Sequence, residues 1–190
     1  MSTRIKLADL KQIIIFMLLF SGKSALAASA GIGVSLNNGQ SYFNPNTIIP
    51  TILIPIEVTR HLLIEPFLNT STSKSNNNRF GSIKYTNDTF GLGIYFTHSL
   101  QDSVSHYYGA KLAYSMIGIS YDGDTDEGDY WAIIPLAGFK YDATKAISAA
   151  FEVGVSYGEG DYTDCCDSTL NDKDESYALY AGLTMRYLFK

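Results

Sequence analysis

From Tyr177 to Phe189 the chain alternates without a slip. Leu179, Ala181, Leu183, Met185, Tyr187 and Phe189 fall on one face, and Tyr180, Gly182, Thr184, Arg186 and Leu188 on the other. A period of two marks a β-strand, because successive side chains leave a pleated backbone on opposite sides. One face is wholly apolar, whereas the other carries an arginine and a glycine. That pattern suits a wall with lipid outside and a packed polar lumen inside. Beyond residue 27 no apolar stretch approaches the roughly 20 residues that a spanning helix needs. Residence in a membrane would therefore require a closed barrel, since closure leaves no unpaired backbone in lipid.

The front of the chain agrees with its end. Arg4, Lys6 and Lys11 form a basic region, Ile13 to Phe20 is an unbroken apolar run, and Ala25-Leu26-Ala27 offers a small-residue cleavage site. This reads as a secretory signal peptide over residues 1–27, leaving residues 28–190 as a single barrel domain. Loss of Arg4, Lys6, Lys11, Lys23 and Asp9 from 14 basic and 19 acidic residues leaves 10 against 18, a balance that argues against nucleic acid as a partner. Fourteen tyrosines, ten phenylalanines and a mean hydropathy of +0.00 fit a wall in which lipid-facing and lumen-facing residues cancel.

Alternation and breakers together predict eight strands, at about 29–37, 48–59, 62–72, 84–98, 105–121, 130–141, 147–158 and 177–189. The connections alternate in length. Thr59-Arg60-His61, 99–104 and 142–146 are short, while 37–47, 69–83, 122–129 and 159–176 are longer and rich in Asn, Ser, Asp and Gly. The predicted fold is all-β: an eight-stranded antiparallel up-and-down transmembrane barrel, with short periplasmic turns, long outer loops and both termini in the periplasm. Pro50, Pro55, Pro66 and Pro135 conflict with this reading, since each removes a ladder donor.

Two resemblances sharpen the reading. Tyr180-Ala181-Gly182-Leu183-Thr184-Met185-Arg186-Tyr187, followed by Phe189, resembles the C-terminal assembly signal of Gram-negative outer-membrane barrels, with Tyr180, Gly182, Met185, Tyr187 and Phe189 as its residues; Lys190 follows where most such proteins end on the aromatic. Ile54-Pro55-Ile56-Glu57-Val58, Leu63-Ile64-Glu65-Pro66-Phe67 and Ile134-Pro135-Leu136-Ala137-Gly138-Phe139-Lys140-Tyr141 resemble recurring segments of the small OmpA/OmpX-like barrels. The likeness implies the bacterial outer membrane as location. Its implied partners are lipid, lipopolysaccharide, the outer-membrane assembly machinery, and host or other cell surfaces. It also implies a monomer without cofactor and a structural, surface-interaction or adhesion role. It does not extend to a peptidoglycan-binding domain.

By alternation Glu57, Glu65, Lys111, Lys140, Glu152 and Arg186 face inward, three acids and three bases on six strands. An eight-stranded barrel is just wide enough to be filled by side chains, and charges buried there must pair. The expectation is an ion-pair network that plugs the lumen, with pairing left to the register; a narrow small-solute channel is the alternative. Gly91, Gly93, Gly154 and Gly182 read as room for those long side chains and for wall curvature.

Asp122-Gly123-Asp124-Thr125-Asp126-Glu127-Gly128-Asp129 sets carboxylates at every second residue, yet positions six and twelve, Glu127 and Ile133, fail an EF-hand loop. It is read as a solvated acidic loop with no metal assigned, a loose divalent-cation site shared with lipopolysaccharide phosphates being the alternative. Cys165 and Cys166 are adjacent in the last long loop, where an oxidising compartment disfavours free thiols; a strained vicinal disulfide is the leading reading, with a crosslink to another chain or a metal pair as the alternatives. No catalytic residues are assigned. Barrel enzymes that modify lipid A need His beside Ser or Asp at the outer rim, whereas His61, His98 and His106 all fall at the periplasmic turns. Trp131, with Tyr130, is assigned to the outer aromatic girdle.

Overall fold

The computed structural model describes residues 29–38, 48–77, 81–121, 124–162 and 173–189. The expected leader over residues 1–27, Cys165 and Cys166 lie outside them, as do Asp122 and Gly123 of the acidic segment. The strands are β1 (Ser29–Asn37), β2 (Ile49–Leu53), β3 (Ile56–Thr59), β4 (Leu62–Asn77), β5 (Gly81–Gln101), β6 (Val104–Tyr121), β7 (Asp124–Asp142), β8 (Ile147–Tyr162) and β9 (Lys173–Leu188). All pairings are antiparallel, and β1 pairs with β9 from Gly31 opposite Leu188 to Asn37 opposite Gly182, which closes the sheet.

The single second strand expected over 48–59 is in fact two pieces in one wall. Both β2 and β3 pair with β1 on one side and β4 on the other. The break falls at Ile54-Pro55, where proline has no N–H to give. The wall is held across the gap by Gly31 N–H donating to the Pro55 carbonyl and Ile54 N–H donating to the Pro66 carbonyl, each at 2.9 Å. The barrel thus has eight walls made from nine strands.

Several strands run past their expected ends. β4 and β5 stay paired through the predicted 69–83 loop, from Asn69 opposite Thr89 up to Asn77 opposite Gly81. Likewise β7 begins at Asp124, inside the predicted acidic loop, and β8 pairs with β9 as far as Asp161 opposite Lys173. In each case the chain turns polar before the ladder ends, and backbone pairing continues because each strand keeps its neighbour.

Burial follows the two-residue alternation. On β9, Tyr180, Gly182, Thr184, Arg186 and Leu188 are buried, Leu179, Leu183, Met185 and Tyr187 are exposed, as is Phe189 just past its end, and Ala181 is intermediate. Tyr177 and Tyr187 stand ten residues apart on β9, as do Trp131 and Tyr141 on β7. About 34 Å of strand tilted by ~40° rises ~25 Å, the height of the apolar band of outer-membrane barrels. Aromatic rings mark both edges of this band. Toward the long hairpins, Phe90 packs on Tyr114 (ring centroids 5.2 Å apart), Trp131 on Tyr157 (5.9 Å), and Tyr157 on Tyr177 (5.0 Å). Toward the short turns, Phe96 stacks on Tyr108 (5.8 Å) and Tyr187 meets Phe189 edge-on (5.6 Å). Tyr130 is a correction: it turns into the lumen, 5 % exposed, and its hydroxyl lies 2.8 Å from that of Ser176. Neighbours on a strand cannot share a face, so only Trp131 of the two joins the girdle.

Candidate functional site

The lumen gathers the buried charge of the described residues. Glu65 on β4 and Arg186 on β9 meet across it in a forked pair, with Nε to Oε2 at 2.5 Å and Nη2 to Oε1 at 3.2 Å; the Tyr95 hydroxyl donates to the same carboxylate at 3.4 Å. Lys111 on β6 is in direct contact with Glu152 on β8 and with the Tyr180 hydroxyl. Glu152 also accepts hydrogen bonds from Tyr180 (2.5 Å) and Tyr107 (3.0 Å). The Lys111 ammonium lies 4.7 Å from the centroid of the Tyr180 ring and 5.9 Å from that of Phe67. An edge-on contact between Tyr95 and Tyr107, centroids 5.5 Å apart, joins the two clusters. Exposure of the four charges is 0–4 %. At that depth the desolvation of each ion is offset only by good geometry and further donors, which the fork and the three tyrosines supply.

The third acid and base stand apart from the other four. Lys140 lies 3.8 Å from Glu57 and 3.2 Å from Asp142, and Ser29 donates to Glu57 at 3.1 Å. These side chains are partly exposed at the short-turn mouth, where such a pair contributes little. All six inward charges therefore sit in acid–base pairs, two of them sealed and one at the mouth.

The ladder explains how such long side chains fit. Gly93 lies opposite both Glu65 and Lys111, Gly138 and Gly182 lie opposite Glu152, and Gly33 lies opposite Arg186. Every buried charge thus has a glycine as a lateral neighbour. A Cβ added at Gly93 would collide with the Tyr95 ring, and one at Gly182 would reach 2.9 Å from Glu152 Oε1 and the Tyr180 hydroxyl. The space at these glycines is filled by tyrosine rings as well as by charges. Charge counting missed Tyr95 and Tyr107 as carboxylate donors, and it placed Tyr180 only in the terminal signal. The signal that would have found them was the same alternation, which puts all three inside.

Apolar layers close around the network. Leu63, Ile134, Leu136 and Ala150 pack with the three tyrosines, and Leu53, Phe67, Ala113, Ile117, Tyr130 and Ala132 form a second cluster. Uncharged polar residues also line the lumen: Asn37 donates to Thr51 (3.1 Å), Thr184 donates to Ser35 (3.0 Å), and the Thr89 and Ser115 hydroxyls lie 2.7 Å apart. The terminal-signal residues divide between faces, Tyr180 and Gly182 inward and Met185, Tyr187 and Phe189 outward.

His61, His98 and His106 all lie at the short-turn end. His98 and His106 face each other across β5 and β6 with ring centroids 5.1 Å apart, and His61 Nδ1 is 3.1 Å from the Thr97 carbonyl oxygen. The adjacent serines turn elsewhere: Ser99 donates to the Gln101 carbonyl at 3.1 Å, and Ser105 is buried. No nucleophile-and-base pair forms there. In the acidic segment, Asp129 accepts from the Tyr114 hydroxyl at 2.8 Å. Among the described residues no group of three or more His, Cys, Asp or Glu is arranged to hold a metal ion.

No protein-family model matches the sequence, and no curated protein sequence matches it either. Solved structures share the fold. Neisserial surface protein A superposes with a TM-score of 0.54 at 13 % identity, over 85 % of this chain and 96 % of its own. The N-terminal β-barrel domain of Pseudomonas aeruginosa OprF gives 0.53 at 18 % identity, over 85 % and 97 %. Outer membrane protein W of E. coli gives 0.52 at 12 % identity, over 87 % and 100 %. The fold is therefore that of the small eight-stranded outer-membrane β-barrels.

Proposed function

We propose that this chain is a bacterial outer-membrane barrel whose lumen is plugged by ion pairs, a rigid cylinder that presents its long hairpins at the cell surface. The observation that carries this reading is the buried pairing of Glu65 with Arg186 and of Lys111 with Glu152. Unpaired charges lining an open path would attract water and ions, whereas four sealed charges, each held by its opposite, remove that attraction. The apolar band between two aromatic girdles supports residence in lipid. The paired, polar β4–β5, β6–β7 and β8–β9 extensions supply the surface for contact with lipopolysaccharide or with another cell. Closure by β1 and β9 leaves no free strand edge within the band, which fits a monomer.

Planar-bilayer recording of the folded protein tests the plug. The membrane should stay silent at voltages that leave it intact. Reproducible unitary steps from a barrel whose folding is verified by its heat-dependent gel mobility would overturn the plugged lumen in favour of a small channel.

A further inference from the structure

The outward face at the short-turn end carries imidazoles that neither the aromatic girdle nor the lumen uses. Even-numbered residues of β5 and β6 point outward at this end, so Phe96 and Tyr108, then His98 and His106, succeed each other down the lipid-facing surface. With His61 and Thr97 they line one shallow cleft. His61 is clipped in place twice: its carbonyl accepts from Thr97 N–H at 2.9 Å, and its Nδ1 lies 3.1 Å from the Thr97 carbonyl. A carbonyl only accepts, so Nδ1 carries the proton in that bond, and Nε2 donates to an anion only in the imidazolium form. The two imidazoles of His98 and His106 stand directly opposite on neighbouring strands with ring centroids 5.1 Å apart, close enough for one phosphate to accept a ring N–H from each. Arg60, adjacent to His61, adds a fixed positive charge at this rim, and Asp102 in the β5–β6 turn is the acid nearest in sequence to the pair. Just above, the stacked Phe96 and Tyr108 rings are about half exposed and offer an apolar shelf.

Resting on the membrane-barrel reading above, we propose that His61, His98 and His106, with the Phe96–Tyr108 shelf, form a binding site for an anionic phospholipid of the leaflet at the short-turn end. The phosphate would sit among the imidazoles, and the glycerol ester would lie on the rings. The order of groups down the wall, aliphatic then aromatic then imidazole, matches the order from acyl chain to headgroup in that leaflet.

The test is native mass spectrometry of the full folded chain released from micelles holding equal amounts of phosphatidylglycerol and phosphatidylcholine, with folding verified by heat-dependent gel mobility. Phosphatidylglycerol should be retained in roughly fivefold excess, a factor in keeping with a few exposed charge-assisted contacts. The His98→Gln/His106→Gln variant should fold normally and fall to parity. Parity in the natural protein, or an undiminished excess in the variant, overturns the site while leaving the barrel reading intact. Displacement of the lipid by millimolar inorganic phosphate would reassign the site to a free anion and also overturn the lipid assignment. A chain that does not fold in micelles would instead sink the barrel reading itself.

Discussion

Replacing Arg186 by methionine is expected to cost about 3–5 kcal/mol of barrel stability, because it strands a carboxylate in the lumen. Glu65 is 1 % exposed and takes both of its short hydrogen bonds from the guanidinium; without it only the Tyr95 hydroxyl at 3.4 Å remains. Urea unfolding in lipid vesicles reads the loss. Adding Glu65→Gln should restore most of it, since the double variant buries no unpaired ion. The strong coupling between the two sites is the expected mark of a sealed pair. Lys111→Met should cost less, because Glu152 keeps the Tyr180 and Tyr107 hydroxyls as donors. An Arg186→Met barrel as stable as the natural one, or a double variant no better than the single, would show that Glu65 is solvated in the natural lumen.

The second large effect lies on the opposite face. Leu183 is 55 % exposed near the middle of the band, opposite Leu36 on β1 and Phe151 on β8. Leu183→Arg should destabilise the barrel in vesicles by about 2–4 kcal/mol, the penalty for arginine at the bilayer midplane. The same change at Thr72, on the polar β4 extension, should be nearly neutral. Equal tolerance at the two positions would mean that residue 183 does not face lipid.

The sequence carried the architecture and the inward set of charges, because alternation reports faces directly and needs no knowledge of pairing. On β9 the face assignments made from the period of two match the burial from Leu179 to Leu188 except at Ala181, assigned outward and intermediate in exposure. Three things were not legible. Strand ends were misjudged at Thr72, where β4 runs on to Asn77, and at Tyr130, where β7 already begins at Asp124, because polarity does not report whether a neighbouring strand is still there to pair. The break at Ile54-Pro55 could be suspected from the proline, but its repair by Gly31 and Pro66 depends on residues far away in sequence. Which acid meets which base rests on the shear of the whole barrel: Glu65 and Lys111 share Gly93 as a ladder neighbour, yet each reaches across the lumen to a different strand. The tyrosines were visible and undervalued, since fourteen of them in a chain read as a membrane barrel invite a girdle explanation that covers only those facing out.

On the proposed reading this chain crosses a bilayer as a closed wall, with lipid on one face and a sealed lumen on the other. A spin-label scan of β9 distinguishes the two faces residue by residue. Residues 178–189 would be changed singly to labelled cysteine, with Cys165 and Cys166 first replaced by serine, and the protein folded into vesicles. Labels at 179, 181, 183, 185, 187 and 189 should relax with lipid-dissolved oxygen, deepest near 183, while those at 180, 182, 184, 186 and 188 should be shielded from both oxygen and a water-soluble nickel complex. Absence of the two-residue alternation, or nickel access to the inward set, would contradict the sealed transmembrane barrel.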